Sequence, residues 1–140
     1  SLLMRLIILF LRRAYTSERT EENNGVGFDS YEKTNVVNTI LTFINENYMK
    51  GITLDRISKN MYLSPAYISK VFKEEVGESP INYLIKIRLS KARNMLEEGR
   101  LPVKTIAKSV GYHDAYYFSK LYKKYYGTSP SNHKPAAVLN

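Results

Sequence analysis

Lysines, hydroxyls and small side chains recur along this chain in one arrangement written twice. Lys70 pairs with Lys120, Lys73 with Lys123, Ser69 with Ser119 and Tyr67 with Tyr117, each fifty positions apart. Around the first set stand Ser64 and Ala66; around the second, Tyr116 and Lys124. Ammonium and hydroxyl groups donate hydrogen bonds to phosphate oxygens and to base edges, and small residues let a backbone come close. That is the chemistry of gripping a polyanion, not of breaking a bond. The candidate binding residues are therefore Ser64, Ala66, Tyr67, Ser69, Lys70 and Lys73 in the first copy. In the second they are Tyr116, Tyr117, Ser119, Lys120, Lys123 and Lys124.

Catalytic readings find little support. The two histidines, His113 and His133, are too few for a metal or catalytic cluster, and there is no cysteine. Disulfides and thiolate metal sites are excluded, and a reducing compartment fits. His113-Asp114 has no nucleophile at any motif spacing, so turn and cap roles are favoured. No triad, metal cluster or phosphate loop is present, and no enzyme, metal or cofactor is expected.

Charge points the same way. The net charge is +8 and the isoelectric point about 9.6. Residues 1–32 carry four basic and five acidic side chains, a net −1. Residues 33–140 carry 17 basic and 8 acidic ones, a net +9, so the excess lies with the repeated units. A polyanionic partner follows naturally.

The elements that must position these residues read as helices. Leu2–Tyr15 is an apolar helical stretch, too short for the ~20 residues of a membrane span and flanked wrongly for a signal peptide. Position 1 is not Met, which fits a fragment; residues 1–15 read as the remnant of an upstream domain, with a stray helix packed on the domain or a membrane-surface anchor as alternatives. Residues 16–31 are polar, with Asn23-Asn24-Gly25 and Gly27, and read as a linker. Residues 32–135 form the compact part. Its first helix, built on Val36, Val37, Ile40, Leu41, Phe43, Ile44 and Tyr48, runs from about Tyr31 to near Gly51. A short helix around Leu54, Ile57 and Met61 follows, with Thr53 as cap. Ser64-Pro65 opens a helix that stops at Gly77.

Ser79-Pro80 then opens a long one, with Ile81, Leu84, Ile85, Arg88, Leu89, Ala92, Met95 and Leu96 as its buried stripe. The short–long pair returns as Pro102–Val110 and Asp114–Tyr126, before a last turn at Ser129-Pro130. No segment alternates long enough for a strand, so the fold is all-α, about seven helices in two helix-turn-helix units joined by a long central helix.

In each unit the second helix is the one that enters a major groove. At ~100° per residue, Ile68, Val71 and Phe72 fall on the buried side of the first. Phe118, Leu121, Tyr122 and Tyr125 fall on that of the second. The candidate residues project from the other side. The central helix acts as a spacer of roughly 27 Å that sets the two probes near one turn of B-DNA apart, about 34 Å. Of the 12 tyrosines, Tyr122 and Tyr125 go to the core, and no strand platform displays the rest, so single-strand binding is not favoured. Arg88 interrupts the apolar stripe; a brace between units through an ion pair with Asp55, Asp114 or a glutamate is favoured over a phosphate contact. The alternative is a basic helical adaptor for an acidic protein or an anionic membrane surface.

The run Ile57-Ser-Lys, Leu63-Ser-Pro-Ala-Tyr-Ile-Ser-Lys-Val-Phe-Lys, Gly77, Ser79-Pro80 and Arg88-Leu89 carries a family resemblance. So does its continuation through Ala92, Met95-Leu96, Ile106-Ala-Lys, Val110-Gly-Tyr112, Tyr117-Phe-Ser-Lys-Leu-Tyr-Lys-Lys, Gly127 and Ser129-Pro130. Over about residues 34–131 it resembles the DNA-binding domain of AraC-type bacterial transcription regulators. The resemblance implies a seven-helix, cytoplasmic domain that binds double-stranded promoter DNA, usually to activate transcription together with RNA polymerase. It also implies an upstream sensor domain through which a homodimer forms, and no membrane.

One departure is the ending, Ser131-Asn-His-Lys134, where the family usually has an aromatic residue and an arginine. Another is charge: Glu74, Glu75 and Glu78 stand where the second unit has Lys124, Tyr125 and Thr128. Phosphate attraction should therefore be stronger at the second unit. Lys120→Ala or Lys123→Ala is expected to lower general DNA affinity more than Lys73→Ala. Equal losses in a titration at fixed salt overturn this.

Overall fold

Side-chain caps set where the helices start. Thr53, Ser64, Ser79 and Asp114 each accept a hydrogen bond from a backbone N–H of the following turn. This satisfies donors that a helix start leaves open. In this computed structural model residues 3, 4, 6–8 and 25–133 are described, for 25–30 the backbone alone. Residues 3, 4 and 6–8 are helical; the other residues of 1–15, and residues 16–24, lie outside the described ones.

Six α-helices follow in order: α1 Gly25–Asn47, α2 Leu54–Met61, α3 Pro65–Val76, α4 Pro80–Glu98, α5 Val103–Ser109 and α6 Ala115–Tyr126. A 3-10 turn at Pro130–Asn132 closes the described chain, and no strand occurs among the described residues. Helix α1 starts at Gly25, earlier than the expected Tyr31. Once the packed part of a helix exists, each added residue gains a hydrogen bond without a new nucleation step, so it extends through polar sequence.

The helices bury two separate cores. In the first lobe Val37, Ile40 and Ile44 of α1 meet Ile57, Met61, Ile68, Val71 and Phe72, with Leu84 of α4. In the second, Leu89, Ala92 and Leu96 of α4 meet Ile106, Ala107, Val110, Tyr112, Phe118 and Tyr122. Helix α4 thus serves one lobe with its first half and the other with its second. Tyr48, just beyond α1, packs against both. Ile81 departs from the expected stripe: it is 37% exposed, because the neighbouring Pro80 fills the buried position at that end of α4.

Arg88 lies where α4 passes from one core to the other, and only 9% of it is exposed. Its partners correct the expected ion pair. Nε donates to the Tyr48 carbonyl and Nη2 to the Lys50 carbonyl, both at 2.7 Å. Among the described residues, neither Asp55, Asp114 nor a glutamate bonds it. Both carbonyls lie in the turn just beyond α1, near the negative end of its dipole, so a guanidinium is a fitting partner; Lys50 also accepts from the Ile52 N–H at 2.8 Å. From the second lobe the Tyr112 ring stands 5.0 Å from the guanidinium carbon.

Gly111 completes this packing. Its φ is +107°, and a Cβ there would come within 2.9 Å of the guanidinium carbon, itself tied down on its far side. Gly111→Ala is expected to cost about 2 kcal/mol, from left-handed strain plus displacement of Arg88. Urea unfolding of the two proteins checks this.

The Tyr112 hydroxyl is buried with no hydrogen-bond partner. Burial pushes its pKa above the ordinary tyrosine value, and the nearby Arg88 guanidinium, which would both bond and attract the phenolate, offsets only part of that rise. The folded state therefore holds this proton more tightly than the unfolded chain. Its stabilisation is complete below about pH 10 and is lost as pH rises through the raised pKa. Tyr112→Phe is expected to keep stability at about pH 8 and to reduce the loss at about pH 11. Denaturant titrations at both pH values measure it.

Candidate nucleic-acid interface

Each recognition helix is fixed by three things: a cap, a turn and a buried side. In the first unit α2 ends in a left-handed residue, Tyr62 at φ 55°, and the Leu63 N–H reaches back to the Ser58 carbonyl at 3.3 Å. In the second unit Gly111 is the left-handed residue, and the Tyr112 N–H reaches the Ala107 carbonyl at 2.9 Å. These pairs lie forty-nine positions apart, whereas the caps Ser64 and Asp114 lie fifty apart. The second turn therefore holds one additional residue, His113. Asp114 caps α6 through Oδ1, which accepts from the N–H groups of Tyr116 at 2.9 Å and Tyr117 at 3.3 Å. The turn and cap reading of His113-Asp114 agrees with this geometry.

On α3, Ile68, Val71 and Phe72 are buried. Ser64, Ala66, Lys70 and Lys73 are exposed, and Tyr67 and Ser69 are half-buried. On α6, Phe118 and Tyr122 are buried. Tyr116, Tyr117, Lys120, Lys123 and Lys124 are exposed, and Ser119 is half-buried. Each helix thus brings its candidates together on the sides its lobe leaves open.

Tyr125 departs from expectation: it is 39% exposed. Its neighbour Tyr126 takes the contact at the end of α6, with its ring 4.7 Å from Tyr122 and the Arg93 guanidinium 5.0 Å away. The repeat itself held the signal, since the matching position in α3 is Glu75, a residue that belongs in water.

The two faces differ in detail. The Lys120 ammonium lies 4.5 Å from the centre of the Tyr116 ring, a cation–π contact one helical turn apart. At the matching place α3 carries Ala66, which offers no ring to Lys70. The Tyr117 ring stands edge-on to Tyr112 at 6.0 Å, which ties the exposed face of α6 to the residue that packs on Arg88. Near α3, Glu78 is paired with Lys86 at 2.7 Å, and that bond raises the Lys86 pKa. Beneath α6 the buried Tyr122 hydroxyl meets His133 Nδ1 at 3.2 Å, so the closing 3-10 turn is fastened to the second lobe. Burial raises the Tyr122 pKa as well.

Two further lysines share this surface chemistry. Lys59 and Lys108 are exposed in the last turns of α2 and α5, forty-nine positions apart. They were legible only once the offset of the leading helices was separated from that of the recognition helices.

A profile described as a helix-turn-helix domain matches residues 57–134, more than half of the chain. The solved structure of a probable AraC family transcriptional regulator from Rhodopseudomonas palustris is 30% identical, with a TM-score of 0.62 over 69% of this chain and 92% of that one. The chain belongs to the AraC family. A second AraC-type neighbour is the C-terminal domain of AraT, a response regulator from Geobacillus stearothermophilus. It is 36% identical, with a TM-score of 0.67 over 69% of this chain and 80% of that one. The lactose operon transcription activator of Staphylococcus xylosus is 35% identical over 70% of this chain and 35% of its own length. This AraC-family chain spans 34–41% of the length of four curated relatives it matches. Among the described residues, no helix is long and apolar enough to cross a membrane.

Proposed function

We propose that this chain is the double-stranded DNA-binding module of a cytoplasmic bacterial transcription regulator, with α3 and α6 entering successive major grooves. The observation that carries the reading is the matched pair of exposed faces, Lys70 with Lys120 and Lys73 with Lys123, each on a capped helix behind a short leading helix. The 19 residues of α4 span roughly 28 Å at 1.5 Å each, a separation on the scale of one DNA turn.

The roles divide by chemistry. Lys70 and Lys120 donate to guanine O6 or N7, and Ala66 and Ser69, with Ser119 on the other helix, keep those approaches narrow. Ser64, Lys73, Lys123 and Lys124 meet phosphate oxygens, and Lys59 and Lys108 do so from the leading helices that cross the backbone. Tyr67, Tyr116 and Tyr117 flank the groove-facing residues. Residues 32–135 are the binding unit, with residues 16–31 as the connection, its last seven residues already in α1, and residues 1–15 as the end of an upstream domain. Transcription activation with RNA polymerase, and a homodimer formed upstream, belong to the same reading. The matched lysine faces favour it over an adaptor for an acidic protein or an anionic membrane, which calls for no such repetition.

Selection from a randomised duplex library, followed by titration with competitor, tests it. A preferred sequence is expected to bind about 10³-fold or more tightly than random duplex. Lys70→Ala or Lys120→Ala should relax the preference at a base pair. Lys59→Ala or Lys108→Ala should leave the preference and reduce the salt slope by about one. Equal binding to every duplex, or tighter binding to anionic vesicles, defeats the proposal.

A further inference from the structure

We infer that Arg88 is a specificity-determining positioning residue: it fixes the angle between the two lobes and so selects the spacing between the half-sites. The inference rests on the two-groove reading above. The two lobes have separate apolar cores, and the helix they share is a single rod. A lone rod resists bending, yet a lobe held by one rod still has freedom to twist and rock about it. Tyr48, which touches both cores, is one restraint. Another is the buried guanidinium.

Arg88 is suited to that task by its shape. The guanidinium is planar, and its donors leave in fixed directions. Two of them end on the carbonyls of Tyr48 and Lys50, at the C-terminal end of α1 in the first lobe, at 2.7 Å each. The second lobe meets the same group through the Tyr112 ring and through Gly111, where even a methyl group would collide. A short forked bond on one side and close contact on the other leave little rotational play. Tyr117, on the exposed face of α6, packs against Tyr112, so the restraint reaches the groove-facing surface in two steps. A lysine at this position would offer a mobile point charge and could not hold both carbonyls in one plane.

Each base pair inserted between half-sites rotates one against the other by roughly 35° about the duplex axis. A rigid pair of probes must then lose contacts or twist the DNA, whereas a loosened pair follows. The chain has no cysteine, so Asn38→Cys on α1 and Thr105→Cys on α5, both exposed positions, take spin labels without further changes. Pulsed electron–electron resonance then reads the distance between lobes with no DNA present. The second arm measures affinity for the selected duplex and for versions with one or two base pairs added between its half-sites.

For the unaltered Arg88 protein a narrow distance distribution is expected, with an affinity loss of about tenfold or more per added base pair. Arg88→Met should broaden the distribution and shrink the loss to about threefold or less, while circular dichroism shows the helices intact. Arg88→Lys should fall between, and it serves alone if Arg88→Met does not fold. An unchanged distribution, or an unchanged spacing penalty, in a folded variant overturns the inference. A protein with Arg88 that binds all spacings alike overturns the two-groove reading instead, and the label distances still report separately on whether Arg88 fixes the lobes.

Discussion

A charge buried at a helix crossing holds this molecule to one shape. Guanidinium burial is unfavourable unless its donors find acceptors and its faces find packing partners. Arg88 finds both, but only if three segments arrive together: the end of α1, the middle of α4 and the turn before α6. The requirement is mutual at Tyr48, whose carbonyl lies beyond the reach of the ladder of α1, whereas the Lys50 carbonyl also accepts from the Ile52 N–H at 2.8 Å. The apolar cores make each lobe stable; this polar contact relates one lobe to the other.

The same logic runs outward to the surface. Ile68, Val71 and Phe72 anchor α3, and Phe118 and Tyr122 anchor α6. Their burial fixes the rotation of each helix and thereby which side chains face out. Asp114 stops the chain from coiling earlier and gives α6 a defined first turn. The Lys120–Tyr116 contact then limits the freedom of an ammonium that a bare helix would leave to wander. Membership in the AraC family and the arrangement of these faces are consistent with one another, since both follow from the same duplicated pattern.

Much of this was legible in the residues. Ser64-Pro65, Ser79-Pro80 and Asp114 mark helix starts through their own side chains, and Gly77, Gly99 and Gly127 mark ends. The helix spans accordingly agree with the structure to within a few residues. Where legibility failed, the cause was context. The partners of Arg88 are backbone carbonyls, which every residue carries and no sequence distinguishes, so a search for carboxylates looked in the wrong place. Tyr125 sits on the apolar period of α6, yet the core ends before it and Tyr126 closes the gap from another direction. The start of α1 was missed because Gly25 and Gly27 signal a break, whereas a helix already anchored by Val37, Ile40 and Ile44 includes them. The exposed faces of α3 and α6 were more readable than these details because the repeat compared the chain with itself.

The unequal turns have a consequence for anyone recombining the halves. His113 makes the second connection a residue longer than the first, so leading and recognition helices obey different registers. A cassette cut from one half and spliced into the other by a single alignment would shift either its first or its second helix by about 100° of rotation. Interchange would succeed only with the loop carried along intact, which makes the duplicated halves homologous in plan but not exchangeable as parts.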